Sequence, residues 1–203
     1  MIRYIDRTDT DAQSLEISFV GMEWEDNGKK IDKNASVSIR LLERNPQLNN
    51  DIVPYVERWT KEVQNILVPT GVWHGIKLGV LANGKAFVAL GESICELSLI
   101  NGNVVWKKEY ANTSIMIIIL APNGEGLYVL YTGYQFKGNN ISSNLIKIGF
   151  AGNFIWSAKP KQLEDSFTSI RLLNNSLFAN TWDGWYGYID DNTGEMINPE
   201  WTK

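Results

Sequence analysis

The residues most able to carry out chemistry are few. The chain of 203 residues contains one histidine, His74, and one cysteine, Cys95. Nucleophilic catalysis would need the imidazole beside Cys95 or Ser93, because a thiol or hydroxyl is activated by an adjacent base. The local sequence VWHG around His74 is instead typical of a structural turn or edge residue. We therefore predict no catalytic residue and a protein that is not an enzyme.

Metal and nucleotide chemistry also lack their usual sequence patterns. One histidine and one cysteine do not form the clustered ligands of a zinc site. The carboxylates Asp190, Asp191 and Glu195 lack the ligand order of a calcium loop and are typical of a hairpin turn. Neither glycine-rich phosphate-binding motif follows a strand. We predict no cofactor and no metal.

Charge and hydropathy narrow the class of partner. The net charge is −4, and the longest basic runs are pairs such as Lys107-Lys108, which argues against nucleic acid and anionic membranes. Residues 1–7 already contain charged side chains, which argues against a secretory signal peptide. The apolar run 115–121 is far shorter than the roughly 20 residues of a membrane span. A single cysteine agrees with a reducing compartment. We expect a cytoplasmic protein.

The elements that would position a site fall into two parts, residues 1–68 and 69–203. In the first part, residues 14–25 alternate apolar and polar side chains, Asn27-Gly28 supplies a turn, and residues 36–42 return as a second strand. This pattern predicts a β-hairpin.

A helix is predicted after the hairpin. Between residues 51 and 67 the apolar side chains recur at spacings of three and four, which is the pattern of one helix face; they are Ile52, Val53, Val56, Trp59, Val63, Ile66 and Leu67. The hairpin and this amphipathic helix would together cap the second part.

The second part contains three similar units. Each unit has an apolar strand, an Asn- or Gly-containing turn, a second and a third strand, a tight turn that ends in glycine, and an exit strand. The glycines are Gly102, Gly152 and Gly194, at intervals of 50 and 42 residues, which is the period of a four-stranded propeller blade. Trp106 and Trp156 follow their glycines by four residues, whereas the third unit has Asn198 there and Trp201 slightly later.

The motifs GNVVW (102–106), GNFIW (152–156) and GWYGYIDDNTG (184–194) resemble the repeats of the quinoprotein-type (PQQ-like) β-propeller superfamily over residues 72–203. The resemblance implies a mostly β fold with three blade-like antiparallel meanders. Three blades leave open sheet edges, which soluble proteins must cover. Either residues 1–68 cap the blades in a monomer, or two copies pair in a homodimer.

An unusual concentration of aromatic residues provides the candidate binding site. Trp182, Trp185 and Tyr186 lie in the third unit, and Tyr134 and Phe136 lie in the expanded loop 133–143. Aromatic side chains are frequent interface anchors, although sheet packing uses the same residue types. We predict that these five residues bind a partner.

The predicted function is therefore a non-catalytic protein-binding module. Its most concrete version is an immunity protein that neutralises a toxin, because an acidic, Trp-rich surface can occlude a basic one. Two alternatives remain open: a ligand-binding or enzymatic quinoprotein-like propeller with a quinone or sugar at its hub, and a structural repeat adaptor.

The repeat assignment generates a stability prediction for Trp106 and Trp156. Each should be buried at an equivalent position, so Trp106→Ala or Trp156→Ala should cost about 3–5 kcal/mol of unfolding free energy. Urea denaturation measures this cost, with Val105→Ala as the control. A loss below about 1 kcal/mol for both tryptophans would contradict the assignment.

Overall fold

The computed structural model describes residues 2–7, 13–20, 35–44, 55–66, 77–110, 114–132, 143–162 and 164–202, and it is built from β-strands. Sixteen strands form four antiparallel sheets of four strands each. Within each sheet successive strands are neighbours, so every sheet is a meander. We number the sheets 1 to 4 in chain order.

The strands of sheets 1 and 2 cover these residues: β1 Ile2–Arg7, β2 Gln13–Val20, β3 Ala35–Arg44, β4 Tyr55–Ile66, β5 Gly79–Ala82, β6 Lys85–Leu90, β7 Ser93–Leu97 and β8 Val104–Glu109. The strands of sheets 3 and 4 cover these: β9 Ile115–Leu120, β10 Leu127–Tyr131, β11 Leu145–Ile148, β12 Phe154–Ser157, β13 Phe167–Leu173, β14 Ser176–Thr181, β15 Trp185–Ile189 and β16 Met196–Trp201.

Apolar sequence and turn chemistry explain why these strands form. Strands β5, β9 and β10 are almost continuously apolar and buried, as expected for strands covered on both faces. The turn Asn83-Gly84 joins β5 to β6 with φ values of 51° and 70°. A two-residue hairpin turn of this kind requires positive φ at both positions, which asparagine and glycine adopt most readily.

The three predicted meanders of the second part are confirmed as sheets 2, 3 and 4. The hairpin strands of the first part are also confirmed, since β2 pairs with β3 from Gln13 opposite Glu43 to Val20 opposite Ser36. The predicted turn at Asn27-Gly28 lies outside the described residues.

The predicted amphipathic helix over residues 51–67 is wrong for its described part, because Tyr55–Ile66 forms strand β4 and pairs with β3. The error has a simple origin: Trp59 and Val63 are four residues apart, and this spacing satisfies both a helical period and the two-residue period of a strand. The β-branched and aromatic composition favours the strand. The segment that would have capped the repeats as hairpin and helix is itself a four-stranded sheet.

The sheets pack face to face in chain order. We call the face that each sheet turns toward the next one its forward face, and the opposite face its rear face. Leu15 and Ile17 of sheet 1 lie on Gly79 of sheet 2, where a Cβ atom would come within 2.8 Å of Ile17 Cδ1 and 2.9 Å of Leu15 Cδ2. Glycine is therefore needed for this close approach.

The first strands of neighbouring sheets also lie side by side. The backbone N–H of Lys77 donates to Met116 O at 3.0 Å, and the N–H of Ile118 donates to Lys77 O at 2.7 Å, which makes a parallel bridge between sheets 2 and 3. This arrangement, with parallel first strands and sheets that pack face to face, is that of a β-propeller.

Sheet 1 should be essential for the solubility of the rest. A chain that begins at Thr70 would expose the rear face of sheet 2, where Val88 and Cys95 share the face of Gly79 and are only 0% and 1% exposed. We expect it to aggregate, because an uncovered apolar sheet promotes association. Size-exclusion chromatography and denaturation are the measurements, with the full chain as the reference. A shortened chain that stays monomeric and unfolds cooperatively would contradict the expectation.

Candidate functional site

Three tryptophans join the sheets in the same way. Trp59 of β4, Trp106 of β8 and Trp156 of β12 each reach from the fourth strand of one sheet to the turn between the third and fourth strands of the next. Their indole N–H groups donate to backbone oxygens there: Trp59 to Leu99 O at 3.0 Å, Trp106 to Phe150 O at 3.1 Å, and Trp156 to Asp191 O at 2.8 Å. Each junction thus has one indole hydrogen bond between sheets.

A glycine receives each indole. Gly102, Gly152 and Gly194 have φ near 70°, a conformation that favours glycine. A Cβ atom at Gly102 would lie 2.7 Å from Trp59, and one at Gly194 would lie 2.9 Å from Trp156. The glycine and the tryptophan four residues later therefore face in opposite directions along the stack: the glycine contacts the preceding sheet and the tryptophan contacts the following one.

The predicted equivalence of Trp106 and Trp156 is borne out by these contacts. Their burial differs, since Trp156 is 6% exposed and Trp106 is half-buried. Truncation of Trp156 should accordingly cost more than truncation of Trp106. Trp59 was missed as a junction residue because the helix assignment concealed its register with β3.

The junction of sheets 3 and 4 also contains an ion pair between a buried ammonium and a carboxylate whose side chain is 34% exposed. The Lys147 ammonium, whose side chain is 4% exposed, lies 2.6 Å from Asp191 Oδ1. The Tyr128 hydroxyl donates to the same oxygen at 2.6 Å, and the Asn123 amide donates to Asp191 Oδ2 at 2.8 Å. Burial and the hydrogen bond to Asp191 both raise the pKa of Tyr128, which therefore stays protonated as a donor at neutral pH.

At the junction of sheets 2 and 3, the third-strand position that holds Lys147 in sheet 3 holds an acidic residue instead. Glu96 occupies the position of Lys147 in the third strand, and its carboxylate accepts from Trp106 Nε1 at 2.8 Å and pairs with Lys85 at 3.0 Å. The indole is therefore shared between a carboxylate of its own sheet and a carbonyl of the next. Glu96 is therefore balanced within its own sheet, whereas Lys147 is balanced by Asp191 of the following sheet.

The residues considered for catalysis have structural partners. Burial raises the pKa of Cys95 to about 11, so its thiol stays protonated at neutral pH. Ser93 is 3% exposed and its hydroxyl donates to Glu109 at 3.3 Å, whereas His74 lies outside the described residues. Among the residues with described side chains, no three histidine, cysteine, aspartate or glutamate side chains form a group suited to a metal.

The acidic turn of sheet 4 behaves as a hairpin turn. Asp190 accepts from the backbone N–H groups of Asn192 at 3.0 Å and Thr193 at 2.8 Å, and the hydrogen bonds from Thr193 contribute most to lowering its pKa. Glu195 pairs with Lys159 at 2.9 Å. In the described part of the chain no helix is long and apolar enough to cross a membrane.

Sheet 4 differs from the others on its forward face. Phe87, Tyr128 and Phe178 occupy the same register position in the second strands of sheets 2, 3 and 4. Phe87 stacks on Phe150 of sheet 3 with ring centroids 5.3 Å apart, and Tyr128 bonds to Asp191 of sheet 4. No further sheet follows sheet 4 in the described residues, and Phe178 packs within its own sheet.

The forward face of sheet 4 is aromatic and polar. Phe178 contacts Tyr188 edge to face at 5.3 Å, lies 5.9 Å from the Tyr186 ring, and has the Arg171 guanidinium 5.1 Å above its own ring. The Tyr186 hydroxyl donates to Glu200. We call Arg171, Phe178, Tyr186 and Tyr188 the aromatic face.

The predicted binding residues divide between several places. Trp182 lies in the turn after β14 and is 70% exposed. Trp185 and Tyr186 are consecutive in β15, so they point to opposite faces of the sheet, and only Tyr186 belongs to the aromatic face. Tyr134 and Phe136 lie outside the described residues. Tyr188 belongs to the aromatic concentration of the third unit seen in the sequence, whereas sequence reasoning missed Arg171 and Phe178, although alignment of Phe178 with Phe87 and Tyr128 could have indicated them.

Comparison with solved structures supports the fold. The β-propeller domain of Cps50 (Swd1) from Myceliophteria thermophila has a TM-score of 0.52 and 7% identity, over 94% of this chain and 57% of that one. The computationally designed Ika8 protein has a TM-score of 0.54 and 7% sequence identity, and the match covers 97% of this chain and 60% of Ika8. Raptor from Chaetomium thermophilum has a TM-score of 0.54 and 10% sequence identity, and the match covers 99% of this chain and 17% of Raptor.

These likenesses define the class of protein. The chain has a β-propeller-like fold made of four antiparallel sheets, and it spans less than two thirds of the length of each of these proteins. No protein-family model and no curated protein matches the sequence. Identities this low establish the fold alone.

The ion pair of Lys147 and Asp191 gives a test of the junction. Asp191→Asn should cost about 3–5 kcal/mol of unfolding free energy, because it leaves the Lys147 ammonium buried without a counter-charge. Lys147→Met in the same chain should recover part of the loss. Urea denaturation is the measurement.

The matched control is Glu195→Gln in the same turn, whose ion pair with Lys159 is more than half exposed and should contribute less than about 1 kcal/mol. Equal losses for Asp191→Asn and Glu195→Gln would show that the pair of Lys147 and Asp191 has no special role.

Proposed function

We propose that this protein is a non-catalytic protein-binding module that uses the aromatic face of sheet 4. The observation that carries the proposal is the equivalence of Phe178 with Phe87 and Tyr128, which contact the following sheet. In sheet 4 the same position belongs to a cluster in which Phe178, Tyr186 and Tyr188 are half-buried and Arg171 is exposed. This face therefore offers a partner a surface with chemistry suited to packing.

The chemistry of the aromatic face supports protein recognition. Tyrosine, tryptophan and arginine are the residue types most enriched at interface hot spots, since they combine a large apolar area with polar groups at the rim. The exposed indoles of Trp182 and Trp201, 70% and 54% exposed, belong to the same sheet. Trp182 and Tyr186 are the residues of the sequence-based prediction that we retain as contacts.

The narrower version of the proposal is an immunity protein that neutralises a toxin in the cytoplasm. Its support is the net charge of −4, which favours association with a basic partner through long-range attraction. We also propose that the chain is related to the quinoprotein-type propellers. The support is its Gly-x-x-x-Trp motifs, each of which has a defined role in a sheet junction.

One exposed and one half-buried aromatic residue test the proposal. Trp182→Ala and Tyr186→Ala should each weaken partner binding by about 1–2 kcal/mol or more, because aromatic anchors contribute most of an interface's energy. Affinity capture from the native host, followed by calorimetric titration with the purified partner, is the measurement. The melting temperature should change little, since Trp182 is 70% exposed.

The control is Val105→Ala in β8, a residue 59% exposed on the outer strand of sheet 2. It should leave affinity unchanged. Unaltered affinity in both aromatic variants, or a large loss of stability in Tyr186→Ala, would refute the assignment of the aromatic face.

A further inference from the structure

A second feature of sheet 4 is a groove at the turn end of sheets 3 and 4. It has a volume of about 460 Å³, within the range of small-molecule sites. Its accessible apolar lining is Tyr188 and Ile197 of the forward face, whereas the lining residues Leu177 and Ile189 point to the opposite face and are only 2% and 3% exposed. Polar side chains from two turns of sheet 4 and one of sheet 3 complete it; they are Asn123, Asn174, Asn175, Ser176, Asp190, Asp191 and Asn192.

The charged groups of this groove are already satisfied. Asp191 is bound to Lys147, Tyr128 and Asn123, and Asp190 accepts from the backbone of its own turn. A phosphate or carboxylate ligand would meet two carboxylates and no cation without a counter-charge. The groove therefore favours a neutral ligand.

Three carboxamides in the groove remain available. The side chains of Asn174, Asn175 and Asn192 have no hydrogen-bond partner among the described residues, whereas Asn123 is engaged with Asp191 and Glu125. A carboxamide both donates and accepts, as does a hydroxyl group. Next to an apolar lining with an aromatic ring, this combination matches a ligand with an apolar face and a rim of hydroxyl groups.

The turn at Asn174-Asn175 gives an independent reason to assign a role to these amides. It is a two-residue turn between Leu173 and Ser176, with φ values of 50° and 61°. The matching turn of sheet 2 is Asn83-Gly84, with φ values of 51° and 70°. At its second position sheet 4 therefore has asparagine where sheet 2 has glycine, so this turn presents a carboxamide that the matching turn lacks.

We propose that this groove is a saccharide-binding site, in which Asn174, Asn175 and Asn192 bind hydroxyl groups and Tyr188 with Ile197 contacts the apolar face of a sugar ring. This site is separate from the aromatic face in its turns and shares only Tyr188 with it. A neutral peptide offers similar donors and acceptors, but three amides from two separate turns surround a compact ligand better than an extended one.

The test compares the full chain with two variants at matched turn positions. Maltose and cellobiose, titrated separately into ¹⁵N-labelled protein, should cause saturable amide shifts at residues 174–176, 188 and 192. Asn175→Gly should weaken binding about tenfold or more by removing the hydrogen bonds of one carboxamide. Its melting temperature should equal or exceed that of the original chain, because glycine relieves the left-handed conformation.

Gly84→Asn is the converse control at the matching turn of sheet 2, where a new Cβ atom meets nothing within 4 Å. It should lower the melting temperature and leave saccharide binding unchanged. The proposal is overturned if neither disaccharide produces saturable shifts, if Asn175→Gly binds as well as the original chain, or if an acetylated, amidated Ala-Gln-Ala peptide shifts these resonances while both disaccharides do not.

Discussion

The fold depends on one repeated contact, in which the indole of an outer strand lies on a left-handed glycine in the following sheet. The contact combines three requirements at one place: a flat ring, a residue without a Cβ atom, and a free backbone carbonyl for the indole N–H. It therefore fixes both the distance and the orientation between sheets. Since each sheet contacts chiefly its neighbours, stability accumulates along the stack as in other repeat proteins.

Sheet 4 shows what happens where this contact is not repeated. Asn198, with φ of 48°, stands four residues after the turn glycine and lies within a register shift between β15 and β16, so Ile197 occupies the paired position that Trp106 and Trp156 have in sheets 2 and 3. Its forward face has Arg171 where sheets 2 and 3 have Val80 and Ile119. In sheet 4, the face that joins two sheets elsewhere therefore has polar and aromatic side chains, which suit contact with water or with a ligand. Both proposals concern this sheet for that reason.

Much of this architecture could be predicted from local sequence. Turn glycines and the tryptophans four residues later indicated sheets 2 to 4 because their spacing reflects a contact that recurs. Strand β4 was missed because four-residue spacing cannot separate a helix from a strand, and its pairing with β3 depends on residues distant in sequence. The division of Trp185 from Tyr186 follows from strand alternation and could have been foreseen. The groove could not, because its lining comes from turns of two sheets that are brought together only by folding.

Glu96 at the junction of sheets 2 and 3 and Lys147 at the junction of sheets 3 and 4 have opposite charges, and this difference has a consequence for assembly. Similar repeats risk docking in the wrong order or with another copy, since sheets 1 to 3 each have a junction indole and sheets 2 to 4 each have a glycine that receives one. Lys147 requires the carboxylate of Asp191, whereas Glu96 already has Lys85 and offers nothing to a second anion. If sheet 3 docked on the turn of another sheet, its ammonium would be buried without a partner. The ion pair therefore makes docking of sheet 3 on sheet 4 more favourable than docking on a turn that has no carboxylate at this position.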